Sequence, residues 1–124
     1  MSLRRSFLHY VLVGGVATAS HWALLVLLVE AHWAPAWLGS GAGAVLGAQV
    51  AFVGNRRYTF GHDGPVWPAW WRFMGTAAAG ALLGMAIVAT GVALGWHYLL
   101  AQAVATLTVM LITFGINRWW TFAH

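Results

Sequence analysis

The chain has 124 residues, of which 61% are hydrophobic and only 6% are charged. Soluble domains carry about 25% charged residues, so this composition excludes an ordinary water-soluble fold. The net charge of +4 rests on six cationic side chains, too few on so apolar a chain to form a nucleic-acid groove. The absence of Cys excludes disulfides, thiolate catalysis and thiolate metal sites. We therefore expect one membrane domain, residues 1–124, with no nucleic-acid partner.

Four apolar stretches are each long enough to cross a bilayer, which takes about 20 residues per helix. They are residues 7–29, 37–54, 73–95 and 98–116. Backbone groups in lipid must be hydrogen-bonded within their own segment, so unbroken apolar runs predict helices rather than strands. Pro35 is suited to open the second helix, residues 61–68 form the longest loop, and residues 95–98 allow only a tight turn. The sequence thus predicts an all-α membrane protein of four transmembrane helices.

All six Arg residues fall on one side of these segments. They are Arg4, Arg5, Arg56, Arg57, Arg72 and Arg118. Arginine-rich connections stay in the cytoplasm, so we expect both termini and the middle loop to be cytoplasmic. Most Trp residues lie at span ends, as indole rings do at membrane interfaces, and only Trp22 lies inside a span. A twin-arginine signal peptide ending at Ala19 is a competing interpretation, but its cleavage would destroy the first helix.

The ends of helices two and four carry nearly the same six residues. Residues 55–60 read Asn-Arg-Arg-Tyr-Thr-Phe and residues 117–122 read Asn-Arg-Trp-Trp-Thr-Phe, identical at four of six positions at an offset of 62. At an offset of 63, Tyr10 corresponds to Phe73. The chain therefore consists of two copies of a helical hairpin. These copies are residues 9–60 and 72–122. Because each copy has two spans, both enter the membrane in the same direction, as a parallel rather than an inverted repeat.

The repeat predicts that polar side chains converge at the cytoplasmic end of the helices. Arg binds phosphate oxygens bidentately and stays charged, and basic pockets between transmembrane helices bind anionic lipid head groups. Neighbouring aromatic rings can stack on a sugar. We predict a site for a lipid phosphate and sugar, formed by Asn55, Arg56, Arg72, Asn117, Arg118, His9, Tyr58 and Trp120. Two simpler explanations stay open: Asn can cap a helix in the left-handed conformation beside a dipole-complementing Arg, and membrane insertion alone places Arg inside.

Polar side chains are scarce within the spans, and intramembrane polar groups are candidates for function. We predict a polar path along His21, Gln49, Gln102 and Thr113. The His residues have no metal-ligand spacing, and no span carries a nucleophile–base set, so we expect neither a metal, nor a cofactor, nor an enzyme. Helix two carries Gly39, Gly43 and Gly47 at four-residue spacing, which lets helices approach closely. This spacing favours packing within the bundle, with a homo-oligomer through these glycines as the alternative.

The ordered set of these features resembles the GtrA-like family of small four-helix membrane proteins. The features are the aromatic and Gly-rich start at residues 10–15, the motif at residues 55–60, Arg72-Phe73 opening span three, and the motif at residues 117–122. The resemblance implies a bacterial inner-membrane protein that flips polyprenyl-phosphate-linked sugars, on undecaprenyl phosphate or a relative, for cell-envelope polysaccharides. It also implies a partner glycosyltransferase. The arginines of the predicted site would bind the phosphate, and its asparagines would orient it.

Two other functions compete with lipid flipping. A membrane anchor that recruits the glycosyltransferase would use the same arginine and aromatic residues as a protein-binding surface. A small multidrug exporter also has four short helices but needs a carboxylate within the membrane, and Glu30 lies at the outer end of the first span. We therefore expect a transporter of lipid-linked sugars, with the anchor as the alternative.

Overall fold

The computed structural model describes residues 3–59, 64–116 and Trp119, with the side chains of Leu3, Ser6, Tyr58 and Thr59 outside that description. The described chain consists of helices without a strand. They are α1 (Leu3–Glu30), α2 (Ala36–Gly54), a π-helical turn (Asn55–Thr59), α3 (Val66–Ala93) and α4 (Tyr98–Ile116). Each of the four α-helices is long and apolar enough to span a bilayer. The predicted all-α fold with four transmembrane helices is therefore confirmed.

The third helix begins earlier than the sequence predicts. We expected residue 73 as its start, after a loop over residues 61–68, but α3 begins at Val66. Pro65 caps it, and Pro68 occupies its first turn. Proline is tolerated there because the first turn of a helix has no intrahelical acceptor for its backbone N–H groups. The early start adds almost two turns to α3 and carries its aromatic residues into the helix.

Left-handed residues end two of the helices and make the following turns tight. Gly95, with φ +90°, follows α3, and the Trp96 N–H bonds to the Gly91 carbonyl at 2.9 Å. His32, with φ +60°, ends α1 in the same way, and the Trp33 N–H bonds to the Leu28 carbonyl at 2.9 Å. This arrangement satisfies helix carbonyls that would otherwise lack partners. The tight turn predicted between the third and fourth helices is confirmed.

Glycines of α2 bring it against α1, backbone to backbone. A Cβ atom on Gly39, Gly43 or Gly47 would meet Leu25, His21 or Ala17 of α1, respectively. The residue number falls on α1 as it rises on α2, so the two helices are antiparallel. These three glycines are buried within the chain, which agrees with the predicted intramolecular packing. A homo-oligomer through the same glycines stays a prediction.

The four helices close into a ring in the order α1, α2, α3, α4. Gly80, Gly84 and Gly91 of α3 face α4, and Gly41 of α2 faces Met85 of α3. The last boundary, between α4 and α1, is bridged by side chains. All neighbours are antiparallel, so four helix ends meet at each end of the bundle.

Two aromatic contacts correspond to each other under the predicted repeat. Phe52 of α2 meets Phe73 of α3 edge to face, with ring centroids 5.4 Å apart. Phe114 of α4 meets Tyr10 of α1 in the same way at 5.1 Å. Phe114 follows Phe52 by 62 residues, and Phe73 follows Tyr10 by 63. The α2–α3 and α4–α1 boundaries therefore occupy equivalent places in the two halves.

Candidate functional site

Most described charges of the molecule lie at one end of the bundle, which we call the arginine end. It carries Arg4, Arg5, Arg56, Arg57 and Arg72, together with the π-helical turn and the start of α3. Among the described residues it has no carboxylate, whereas Glu30 lies at the opposite end and accepts a hydrogen bond from the Tyr98 hydroxyl at 2.8 Å. Unbalanced positive charge at one end of an apolar bundle attracts anions.

Asn55 begins the π-helical turn and is almost completely buried, with 5% of its surface exposed. Its backbone N–H reaches the carbonyls of both Ala51 and Phe52. Its backbone is right-handed (φ −70°, ψ −41°), so the alternative explanation of a left-handed cap is wrong at this position. The helix continues instead of ending, and π-helical turns are frequent at functional sites. The turn also packs on α1, and a Cβ on Gly54, the last residue of α2, would meet Val13.

Arg56 connects this turn with the loop before α3. Its Nη2 donates to the Gly64 carbonyl at 2.9 Å, and the side chain is half-buried. Its Nε is buried and has no hydrogen-bond partner among the described residues. A buried donor on a charged group is costly without an acceptor, so this nitrogen is suited to bind an oxygen supplied by a ligand. The next residue, Arg57, is exposed.

The first turns of α3 form the other wall of the arginine end. Ala69, Phe73 and Thr76 are buried along one stripe of the helix, and Phe73 packs on Phe52. Arg72 lies at the edge of this stripe and is half-buried. Its carbonyl accepts a hydrogen bond from the Thr76 hydroxyl at 3.2 Å. Arg72 therefore lies at the edge of a packed cluster that contains Phe52 and Phe73.

Gln49 links α2 to α3 just inside this cluster. Its Oε1 accepts from the Trp70 indole at 3.3 Å, and its Nε2 contacts the Met74 sulfur at 3.2 Å. Trp70 also meets Trp67 and Trp71 edge to face. Sequence reasoning assigned Trp70 only to the membrane interface and missed its bond to Gln49. The spacing of helix residues alone does not reveal a partner on another helix.

The structure describes only part of the predicted site. It brings Asn55, Arg56 and Arg72 to the same end as His9. His9 lies one turn before Val13 on α1 and is half-buried. Four other predicted residues cannot be placed in this way. Asn117, Arg118 and Trp120 lie outside the described residues, as does the side chain of Tyr58.

The four residues of the predicted polar path lie at different levels and do not bond to one another in the described structure. His21 packs on Gly43, and its Nε2 is buried without a described partner. The Thr113 hydroxyl bonds to the Val109 carbonyl of its own helix at 2.9 Å. Gln102 bonds to Thr106. The path is therefore a set of separate polar positions, of which Gln49 and Thr113 lie toward the arginine end.

Comparison with known proteins identifies the family of the chain. A family model described as the GtrA/DPMS transmembrane domain matches residues 9–122. No curated protein and no solved structure matches the chain. The matched range holds both Asn-Arg motifs, three of the membrane-spanning segments whole, and the first segment from residue 9 onward. The match indicates a multi-pass membrane protein with a part in glycosyl-lipid processes.

Proposed function

The chain belongs to the GtrA/DPMS transmembrane family, and on this premise we propose that it translocates a polyprenyl-phosphate-linked sugar across the bacterial inner membrane. The arginine end faces the cytoplasm in this proposal, as the positive-inside rule predicts. The lipid enters from the leaflet where a glycosyltransferase has made it. Its sugar then crosses for use in cell-envelope polysaccharides, while the polyprenyl tail stays in lipid.

The observation that supports this proposal best is the environment of Arg56. Its side chain is half-buried, one nitrogen donates to Gly64, and Nε has no partner in the described part of the chain. A phosphate oxygen is the acceptor that such a group binds most strongly, since charge-assisted hydrogen bonds are roughly twice as strong as neutral ones. Asn55, buried and next to it in the chain, and Arg72 on α3 lie at the same end of the bundle.

The aromatic residues at this end suit the rest of the ligand. Trp67 and Trp71 are about two-thirds exposed and present ring faces at the depth where the sugar of a membrane-bound lipid lies. The same exposure favours the second candidate function, a membrane anchor that holds a glycosyltransferase beside its substrate. Aromatic and Arg residues are enriched at protein interfaces.

The test uses purified protein in liposomes that contain a fluorescent polyprenyl-phosphate hexose. An impermeant reagent added outside reports how fast the sugar becomes accessible. Substitution Arg56→Gln removes one charge-assisted contact of about 1.5–3 kcal/mol, so the translocation rate should fall roughly 10- to 100-fold. The matched control Arg57→Gln removes the same charge from an exposed neighbour and should change the rate less than about twofold.

Each result separates the two candidate functions. Protein-dependent exposure that is lost with Arg56→Gln and kept with Arg57→Gln supports translocation. No exposure by the unaltered protein would overturn it, whichever hexose is used. If a co-purified glycosyltransferase is then released by Arg56→Gln, the anchor is the correct function.

A further inference from the structure

The boundary between α1 and α4 is built differently from the other three. Glycine backbones or close side chains bring the other pairs together along their length, whereas α1 and α4 approach each other less closely. Three side-chain bridges cross the gap in the described structure, and one of them is the Tyr98–Glu30 hydrogen bond at the end opposite the arginines. Tyr10 meets Phe114 near the arginine end, and the Trp22 indole donates to the Thr106 hydroxyl at 3.1 Å. We call this boundary the α1–α4 seam.

The internal repeat shows what is unusual about the seam. Its equivalent in the other half is the α2–α3 boundary, where Met85 packs on α2 close to Gly41. Trp22 stands 63 residues before Met85, so a large amphipathic ring occupies the seam where the other boundary has a flexible apolar side chain. Thr106 stands 62 residues after Ala44. At the level of Trp22 and Met85, the seam is therefore the wider and more polar of the two boundaries.

A polar pair lies behind Trp22. Gln102 is 1% exposed, and its Nε2 donates to the Thr106 hydroxyl oxygen at 2.9 Å. That oxygen thus accepts from both Gln102 and Trp22. The Gln102 Oε1 is buried with no partner in the described structure. An unsatisfied buried carbonyl costs about 1–3 kcal/mol, so this oxygen is suited to accept a hydrogen bond from a ligand.

The pair offers what a sugar hydroxyl needs. Oε1 of Gln102 is an acceptor, and no described bond uses the hydroxyl proton of Thr106, which makes it a donor. A hydroxyl group is both donor and acceptor, so it can satisfy both. Trp22 adds an aromatic face at the same place. A sugar hydroxyl that enters an apolar region without a hydrogen-bond partner costs several kcal/mol of free energy. A site that binds the hydroxyl lowers this cost.

We propose that Gln102 and Thr106 bind a hydroxyl of the sugar as it moves along the α1–α4 seam, with Trp22 closing the site when it is empty. This inference rests on the proposed function. Trp22 lies 13 residues beyond His9 on α1, about 20 Å at 1.5 Å per residue. The sugar of a lipid docked at the arginine end does not reach so far. The seam site is therefore a second binding site, which the sugar occupies during crossing and not when the lipid first binds.

The kinetic test compares Gln102→Met and Thr106→Val with Thr108→Val. Thr108→Val also removes a hydroxyl from α4, but in the unaltered protein that hydroxyl already bonds to the Val104 carbonyl of the same helix. In the liposome assay, the two seam variants should lower the maximal rate at least about fivefold. The lipid concentration that gives half the maximal rate should stay unchanged, because first binding involves the arginine end. Thr108→Val should leave both quantities unchanged.

Thermal unfolding distinguishes this site from a structural role. Gln102→Met removes one neutral hydrogen bond to Thr106, which costs stability, and an unsatisfied carbonyl, which restores as much or more, so its unfolding temperature should be equal to that of the unaltered protein or higher. A loss of rate together with a matching loss of stability would overturn the proposal. So would a rate that Gln102→Met leaves unchanged.

Photo-crosslinking separates this inference from the proposed function itself. A polyprenyl-phosphate hexose with a diazirine on its sugar ring is irradiated in liposomes, and the adducts are mapped by peptide sequencing. Adducts on residues 98–109 that Gln102→Met diminishes support the seam site, even if no translocation is detected and the proposed function fails. Adducts confined to residues 54–76 while translocation proceeds would overturn the seam site and leave the function intact.

Discussion

Replacement of Gly43 by Ala is the sharpest test of the α1–α2 packing. A Cβ at this position would overlap the backbone carbonyl oxygen of His21 and lie 2.5 Å from its ring Cδ2. Real Cβ atoms almost never approach other atoms closer than 3.0 Å. Backbone cannot rotate out of the way as a side chain can, so the two helices would have to separate. We therefore expect Gly43→Ala to destabilise the bundle.

The magnitude follows from two opposing effects. Overpacking of a close interface costs about 1–3 kcal/mol, and a backbone overlap belongs at the upper end of that range. Alanine gains about 1 kcal/mol over glycine in helix propensity. The expected net destabilisation is about 2 kcal/mol. Gly15→Ala provides the matched control, because nothing lies within 4 Å of a Cβ built there. That variant should be about 1 kcal/mol more stable than the unaltered protein.

The assay is reversible unfolding of the protein in mixed detergent–lipid micelles, followed by loss of helix and of tryptophan fluorescence. The difference between the two variants removes the propensity term and isolates the overlap, at about 3 kcal/mol or roughly 100-fold in the unfolding equilibrium. Equal stabilities for Gly43→Ala and Gly15→Ala, within about 0.5 kcal/mol, would refute the deduced register of α1 against α2.

Two further predictions concern the turn after α3 and the link from α2 to α3. In the same assay, Gly95→Ala should lower the free energy of unfolding by about 1–2 kcal/mol because φ at this position is +90°. The control Gly75→Ala has open space around it and should lose no stability. Equal losses in the two variants would contradict the turn assigned after α3. In a double-mutant cycle, Gln49→Leu and Trp70→Phe should couple by about 0.6 kcal/mol, typical of hydrogen bonds between membrane helices. Gln49→Leu with the exposed Trp71→Phe should show no coupling, and equal coupling in both cycles would contradict the 3.3 Å bond.

The spans were predictable because each is a continuous apolar run, and such runs leave the backbone no alternative to a helix. The start of α3 was not, because Pro65, Pro68 and the neighbouring Trp residues are typical of a loop at a membrane interface. Prolines in a first turn are compatible with either structure. Only the packing of Ala69 and Phe73 on Phe52 decides in favour of helix.

The candidate site was predictable in composition but only partly in geometry. The Asn-Arg motif marks Asn55 and Arg56, yet it gives no sign that α2 continues as a π-helical turn or that Gly64 accepts from Arg56. Trp22 stands out in the sequence as the one Trp inside a span, but its partner is 84 residues away. Contacts between helices depend on their rotation, which an almost uniformly apolar sequence encodes weakly.

On the proposed function, the charge of the ligand itself supplies a driving force for crossing. A phosphate that moves outward across a membrane whose inner side is negative carries its negative charge in the favourable direction. Each elementary charge gains about 2.3 kcal/mol per 100 mV, an outward bias of about 40- to 50-fold. Synthesis on the inner side and consumption on the outer side add to this bias. A chain that only lowers the barrier, through arginines at one end and a hydroxyl site in the seam, therefore needs no coupling residue of its own.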